Sequence, residues 1–183
     1  NPCSEIILRP YQFCNLTEVV IRSTDTEQDL ERKIAVATIL GTLQATYTKF
    51  PYLRQVWQDN TNEERLLGVS LTGIMDNPLT TTANPDLQGL LERLRAVSVE
   101  VNKEWSAKLG IAVSTAITAV KPSGTVSQLV NSASGIHARH SEYYIRTVRG
   151  AFNDPLTQFM KDQGIPWEPC AHQPDTTVVF SFP

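Results

Sequence analysis

Apolar positions along the chain alternate between two periods, and the alternation predicts a succession of strands and helices. Residues 5–8 (EIIL) and 16–22 (LTEVVIR) are β-branched and apolar, so they read as strands or extended segments, separated by a Pro- and Asn-bearing loop, RPYQFCN. Thr24-x-x-Glu27 has the pattern of a capping box and predicts a helix start. Leu30, Ile34, Ala37, Leu40, Leu43 and Tyr47 then recur at helical spacing, with Pro51 expected to end the helix after about Phe50. RLLGVSLTGIMD reads as a short strand and turn, with glycine where another backbone comes close. Asn84-Pro85 predicts a second long helix whose face is Leu87, Leu90, Leu91, Leu94, Val97, Val101 and Trp105, closed by Gly110. TAITAV reads as a strand running into KPSGTVSQLV, and YYIRTVRG as another. Asp154-Pro155 opens a third helix that ends at Gly164, and TTVVFSF is a last strand. Strands alternating with helices predict an α/β fold.

Composition narrows this picture. The 183 residues are 41% hydrophobic and 19% charged, which suits a globular chain with a real core. A net charge of −3 offers no broad basic field, which argues against a nucleic acid polymer as partner. No apolar run reaches the roughly 18 residues of a membrane span. No signal-peptide pattern is present, and three cysteines are too few for a disulfide framework, so a reducing, cytoplasmic location is expected. The first residue is not Met, and the chain opens and closes on strand-like sequence. We therefore expect a piece of a longer protein.

Three stretches carry candidate chemistry. In NPCSE, residues two apart share one side of an extended chain, so Asn1, Cys3 and Glu5 bring an amide, a thiol and a carboxylate together. A carboxylate can serve as general base, a thiol as hydrogen donor and an amide as orienter of both. Taken alone, C-x-E is more often a structural cysteine beside an exposed acid. In KPSGTVS, Ser123, Gly124 and Thr125 open an expected helix, where free N–H groups and a positive dipole end favour phosphate; an ordinary capped helix is the plainer alternative. The spacing is not that of a Walker A loop. In SASGIHARHSEYYIRTVRG, His137, Arg139, His140, Arg146 and Arg149 crowd a short span. Without an accompanying C-x-x-C, an anionic ligand or a neighbouring domain suits them better than a metal, and no metal site is expected.

Together these stretches resemble the catalytic subunit of ribonucleotide reductases, most closely the adenosylcobalamin-dependent (class II) group. Asn1, Cys3 and Glu5 match the family's N-x-C-x-E finger-loop tip, and Cys14, in FCNLTEVV, looks like the family's second cysteine. GVSLTGIMD, KPSGTVSQLVNSASGIH and YYIRTVRG also look like family stretches, in the expected order. The resemblance implies that residues 1–183 are about the second half of a ten-stranded α/β barrel, with the finger loop at its start, and that the isolated fragment is inactive. It further implies a thiyl radical at Cys3 that takes hydrogen from C3′ of a ribonucleotide. Glu5 would be the general base, and Asn1 would hold substrate hydroxyls and Glu5. Cys14 would be one member of a redox pair whose other cysteine lies upstream. Pro122, Ser123, Gly124, Thr125 and Ser127 would hold the phosphates of a ribonucleoside di- or triphosphate. Adenosylcobalamin, a thioredoxin-like dithiol reductant and the rest of the same chain would be the cofactor and partners. No family role is assigned to Cys170. A class I large subunit with a separate radical-generating partner, and a non-catalytic nucleotide-binding or interaction module, remain the alternatives.

Overall fold

The computed structural model describes residues 5–183; Asn1 and Cys3 lie outside the described residues. The chain forms two compact units, residues 5–139 and His140–Pro183.

In the first unit, strand β1 (Asn15–Val20) leads into helix α1 (Glu27–Gln44), helix α2 (Gln55–Glu64), strand β2 (Leu67–Thr72) and helix α3 (Leu87–Leu109). β1 and β2 run parallel, with Asn15 opposite Leu67 and Val20 opposite Thr72. Residues 116–119 lie along the other edge of β2: Leu67 N–H donates to Ala116 O at 2.9 Å, Val69 N–H to Ile117 O at 2.8 Å, and Ala119 N–H to Val69 O at 2.9 Å. The strand expected in TAITAV is therefore present as a third, short parallel run. The parallel β–α–β order matches the α/β expectation.

The two faces of this sheet differ. Val19, Leu67, Val69 and Ile117 pack with Leu30, Ile34 and Ala37 of α1 and with Leu90 and Leu94 of α3 in one apolar core. α1 approaches closely because Gly41 carries no side chain; a Cβ there would lie 3.4 Å from Leu67 Cδ2. Close approach also turns α1. Thr38, Gly41 and Thr42 are buried, whereas Leu40, Leu43 and Tyr47, expected on the buried face, are exposed. On α3 the buried line continues from Leu90 and Leu94 through Ser98, Asn102 and Ser106. Asn102 makes that polar stretch tolerable: its amide donates to Thr42 Oγ1 and Ser114 Oγ, both at 3.0 Å, and its oxygen accepts Ser114 N–H at 3.0 Å.

Helix boundaries shift for local reasons. The capping box of α1 is Thr26 with Asp29, two residues later than expected, because Arg22 and Asp25 close a turn that takes up Thr24. α1 stops at Gln44, well before Pro51. α3 starts after Asp86 rather than after Asn84, whose side chain instead accepts Asp86 N–H at 3.0 Å. Gly110 ends α3 in the left-handed region, φ 66°. Residues 5–8, expected as a strand, join no sheet.

After residues 116–119, the one-turn helix α4 (Val126–Leu129) completes the elements of the first unit. The second unit contains β3 (Arg146–Ala151), helix α5 (Pro155–Asp162), β4 (Trp167–Pro169) and β5 (Thr177–Phe182). Its sheet is antiparallel in the order β3–β5–β4, with Val178 and Phe180 of β5 fully buried. Asp154 caps α5 by accepting Leu156 N–H, as its Asp-Pro sequence predicts.

Candidate functional site

The face of the β1–β2 sheet turned away from α1 and α3 holds the candidate residues. Strand alternation places Leu16, Glu18 and Val20 of β1 there, beside Gly68, Ser70 and Thr72 of β2. Cys14 immediately precedes β1. The segment from Glu5 reaches this face through Ile6, which is buried. Gly68 makes the room: a Cβ on it would stand 2.5 Å from Leu16 Cδ2 and 2.7 Å from Ile6 Cδ1. The glycine-marked close approach read in RLLGVSLTGIMD is thus met at Gly68.

Glu5 lies close enough to Cys14 for its charge to act on the thiol. Burial pushes the half-buried Cys14 thiol up, and the charge of Glu5 pushes it further in the same direction. A thiol in that setting stays protonated at neutral pH. Glu5 Oε2 is buried and has no hydrogen-bond partner among the described residues. A buried carboxylate oxygen with a vacant acceptor position is costly unless something else fills it. The region thus holds a protonated thiol and, among the described residues, a carboxylate oxygen without a hydrogen-bond partner. Asn1 and Cys3, which the sequence grouped with Glu5, lie outside the described residues.

The stretch read as a phosphate loop follows residues 116–119. The helix after it is α4, only one turn long, so the dipole support expected of a longer helix is small. Ser123 sits in the left-handed region, φ 46°, and is buried; its hydroxyl donates to Glu18 Oε1. Nothing lies within 4 Å of a Cβ built on Gly124, so the loop is open at that point. Thr125 is the N-cap of α4 and makes no side-chain cap bond. Ser127 is fully buried, and its hydroxyl donates to Gly124 O at 3.3 Å, so it braces the loop from within. Pro122 is held through its carbonyl, which accepts from Gly135 N–H at 3.1 Å and from the Ser134 hydroxyl.

Two groups escaped the sequence reading. Glu18 accepts Lys121 Nζ at 3.2 Å as well as Ser123, tying β1 to the loop. Its signal was a lone acid inside an apolar strand. Asp76 joins Arg139 Nε at 3.0 Å and accepts Ala133 N–H at 2.6 Å, while Asn131 O accepts from both Arg22 and Arg139 at 3.0 Å. These residues, scattered over 118 positions, line a polar hollow of about 370 Å³ with Ser23. No local spacing announces such a set.

The remaining candidates are His137, His140 and Cys170. Among the described residues, no three His, Cys, Asp or Glu side chains are grouped to hold a metal ion. His137 is exposed, and His140 in the second unit meets Tyr144 edge-on, ring centroids 6.2 Å apart. Cys170 is buried in the second unit. Backbone N–H groups of His172 and Gln173, and then Arg149, draw its thiol down. Among the described residues no helix is long and apolar enough to cross a membrane.

No family model matches the chain. All of it aligns with the adenosylcobalamin-dependent ribonucleoside-triphosphate reductase of Lactobacillus gasseri, at 31% identity over 27% of that protein, and with that of Euglena gracilis, at 30% over 25%. Of a solved B12-dependent (class II) ribonucleotide reductase, 28% superposes on 99% of the chain, with a TM-score of 0.74 and 26% identity. The chain thus spans about a quarter of the length of these relatives, and along its whole length it is similar to a segment of class II ribonucleotide reductases.

Proposed function

We propose that the chain is a segment, about half, of the catalytic barrel of an adenosylcobalamin-dependent ribonucleoside-triphosphate reductase. The intact protein would convert ribonucleotides to deoxyribonucleotides. The observation that carries this reading is the similarity of the whole chain to a segment of class II reductases, and the sheet face that joins Glu18 to the Ser123 loop is in keeping with it. The first unit, a parallel sheet with its two long helices α1 and α3 on one face, is consistent with part of a barrel, whose other face would turn inward. Triphosphate is the substrate form in the names of the relatives, and we adopt it here.

The proposed roles follow from the chemistry of each group. Cys3 carries the radical that takes hydrogen from ribose C3′. The vacant acceptor position on Glu5 suits a base that takes the 3′-hydroxyl proton, because no protein group competes for that oxygen among the described residues. Asn1 orients the hydroxyls. Cys14, kept neutral by burial and by Glu5, is the protonated thiol that surrenders hydrogen as the 2′-hydroxyl leaves as water, pairing afterwards in a disulfide that an external dithiol of thioredoxin type reduces. The loop of Pro122, Ser123, Gly124 and Thr125 holds phosphates, with Ser127 as internal brace.

Adenosylcobalamin would supply the radical. The relatives are adenosylcobalamin-dependent by name, and the chain spans about a quarter of their length. No step proposed for this chain's residues runs through the cofactor.

The test uses the full-length protein with adenosylcobalamin, a ribonucleoside triphosphate and a dithiol. Cys14→Ser should stop multiple turnover yet preserve hydrogen exchange at C3′. Sustained deoxynucleotide production by Cys14→Ser would remove the reductant role.

A further inference from the structure

We infer that Glu18 is a positioning residue for the substrate triphosphate: its carboxylate clamps Lys121 and Ser123 and so sets the loop that receives the phosphates. The inference rests on the proposed phosphate role of that loop and adds a residue outside the motif that defines it.

The clamp is built from parts over a hundred residues apart. Glu18 lies in the middle of β1, its side chain only 10% exposed. It faces away from the apolar core and stands opposite Ser70 in the sheet register. Ser70 is small and turns its own hydroxyl to Thr17 O at 3.2 Å, leaving the width of the central strand free for side chains to cross. Lys121 crosses it to reach Glu18 Oε2 at 3.2 Å, and Ser123 reaches Oε1. A carboxylate is the one side chain that can accept from an ammonium and a hydroxyl on separate oxygens while cancelling the ammonium's charge.

The backbone needs this restraint. Ser123 has φ 46°, which a non-glycine residue adopts at a cost unless its surroundings hold it there. Behind the loop, Gly135 packs so tightly that a Cβ on it would lie 1.9 Å from Lys121 O. Gly135 N–H and the Ser134 hydroxyl fix Pro122 O from the same side. The loop is therefore fastened behind through Pro122 and across the sheet through Glu18. Gly124 follows these anchors, is held on its other side by the Ser127 hydroxyl at its carbonyl, and has open space where a Cβ would be. Anchored flanks around an open glycine are the geometry of a preorganised backbone site for phosphate oxygens. Glu18 acts through the loop; it repels phosphate itself and stays occupied by its two donors.

Affinities of the full-length protein for cytidine 5′-triphosphate and for cytidine separate this role from a merely structural one. Glu18→Gln keeps the shape and one acceptor but loses the charge. It should weaken triphosphate binding about tenfold, the scale of a charged hydrogen bond, and leave cytidine within about twofold. Glu18→Asp should recover part of the loss. Lys121→Met should give the same selective loss, and the double variant should be no worse than the poorer single one, because both cut one clamp. In turnover the Glu18→Gln loss should fall on KM rather than on kcat. Equal weakening of both ligands, unchanged triphosphate affinity, or additive losses would each overturn the role of Glu18. A wild-type protein that binds neither ligand would instead overturn the reductase reading beneath it.

Discussion

The two faces of the β1–β2 sheet are made by the same residues read alternately, yet they serve opposite ends. Val19, Leu67 and Val69 look toward α1 and α3 and are buried in apolar contact. Leu16, Glu18, Val20, Gly68, Ser70 and Thr72 look the other way, and apart from Leu16 and Val20 they are small or polar. On the first face the energy is burial and packing density. On the second, what matters is room, supplied by Gly68 and Ser70, and the placing of one acid. On the proposed reading, strand period two separates stability from chemistry within a single six-residue element. Substitutions on the two faces should therefore fail in different assays.

The largest contrast is between Glu5 and Leu67. Glu5→Gln should lower deoxynucleotide formation on the order of 10²–10⁴-fold, as general-base removal does, with little change in unfolding. Leu67→Ala, at a fully buried site, should cost about 2–5 kcal/mol in denaturant unfolding of the full-length protein. A Glu5→Gln protein that kept its rate but unfolded early would erase the division between the faces. Next in size is Asn102→Ala, which leaves Ser114 N–H buried without its acceptor. The expected loss is about 1–3 kcal/mol of stability, and an unchanged midpoint would show that water replaces the amide. Thr26→Ala removes the α1 cap and should cost about 1 kcal/mol, confined to early exchange of amides in the first turn of α1.

The smallest effect tests the pairing of Glu5 and Cys14. Cys14 is raised in the folded state, so its stability contribution is present below the unfolded thiol value and is lost as pH rises through the folded one. Glu5→Gln removes one of the two causes. It should speed alkylation of Cys14 at pH 8, read on that peptide by mass spectrometry. An unchanged rate would separate the two residues.

The sequence made the architecture legible where pattern and local chemistry agree. β1, β2, β5 and the bulk of α1 and α3 follow from their apolar periods, and Gly110 and Asp154 mark real helix ends. It misled where tertiary contact overrides period. The outer half of α1 looks inward by spacing, but Gly41 lets the strands approach and leaves Leu40 and Leu43 exposed. α2, a polar QVWQDNTNEE, has no apolar stripe to betray it. Of the candidate site, Glu5, Cys14 and the loop stand out in the sequence as motifs, with roles that are proposed. Glu18 and Asp76 do not, because each earns its place from partners far along the chain: Glu18 from Lys121 and Ser123, Asp76 from Ala133 and Arg139.

The central claim is that this chain holds the radical-carrying site of a ribonucleotide reductase, with Cys3 at its centre. Deoxynucleotide formation by the full-length protein, wild type against Cys3→Ser, tests it most directly, with adenosylcobalamin, a ribonucleoside triphosphate and a dithiol present. The wild type should form deoxynucleotide, and Cys3→Ser should form none and exchange no hydrogen at C3′, because a hydroxyl cannot replace a thiol as hydrogen-atom carrier. Near-normal deoxynucleotide production by Cys3→Ser would contradict the account.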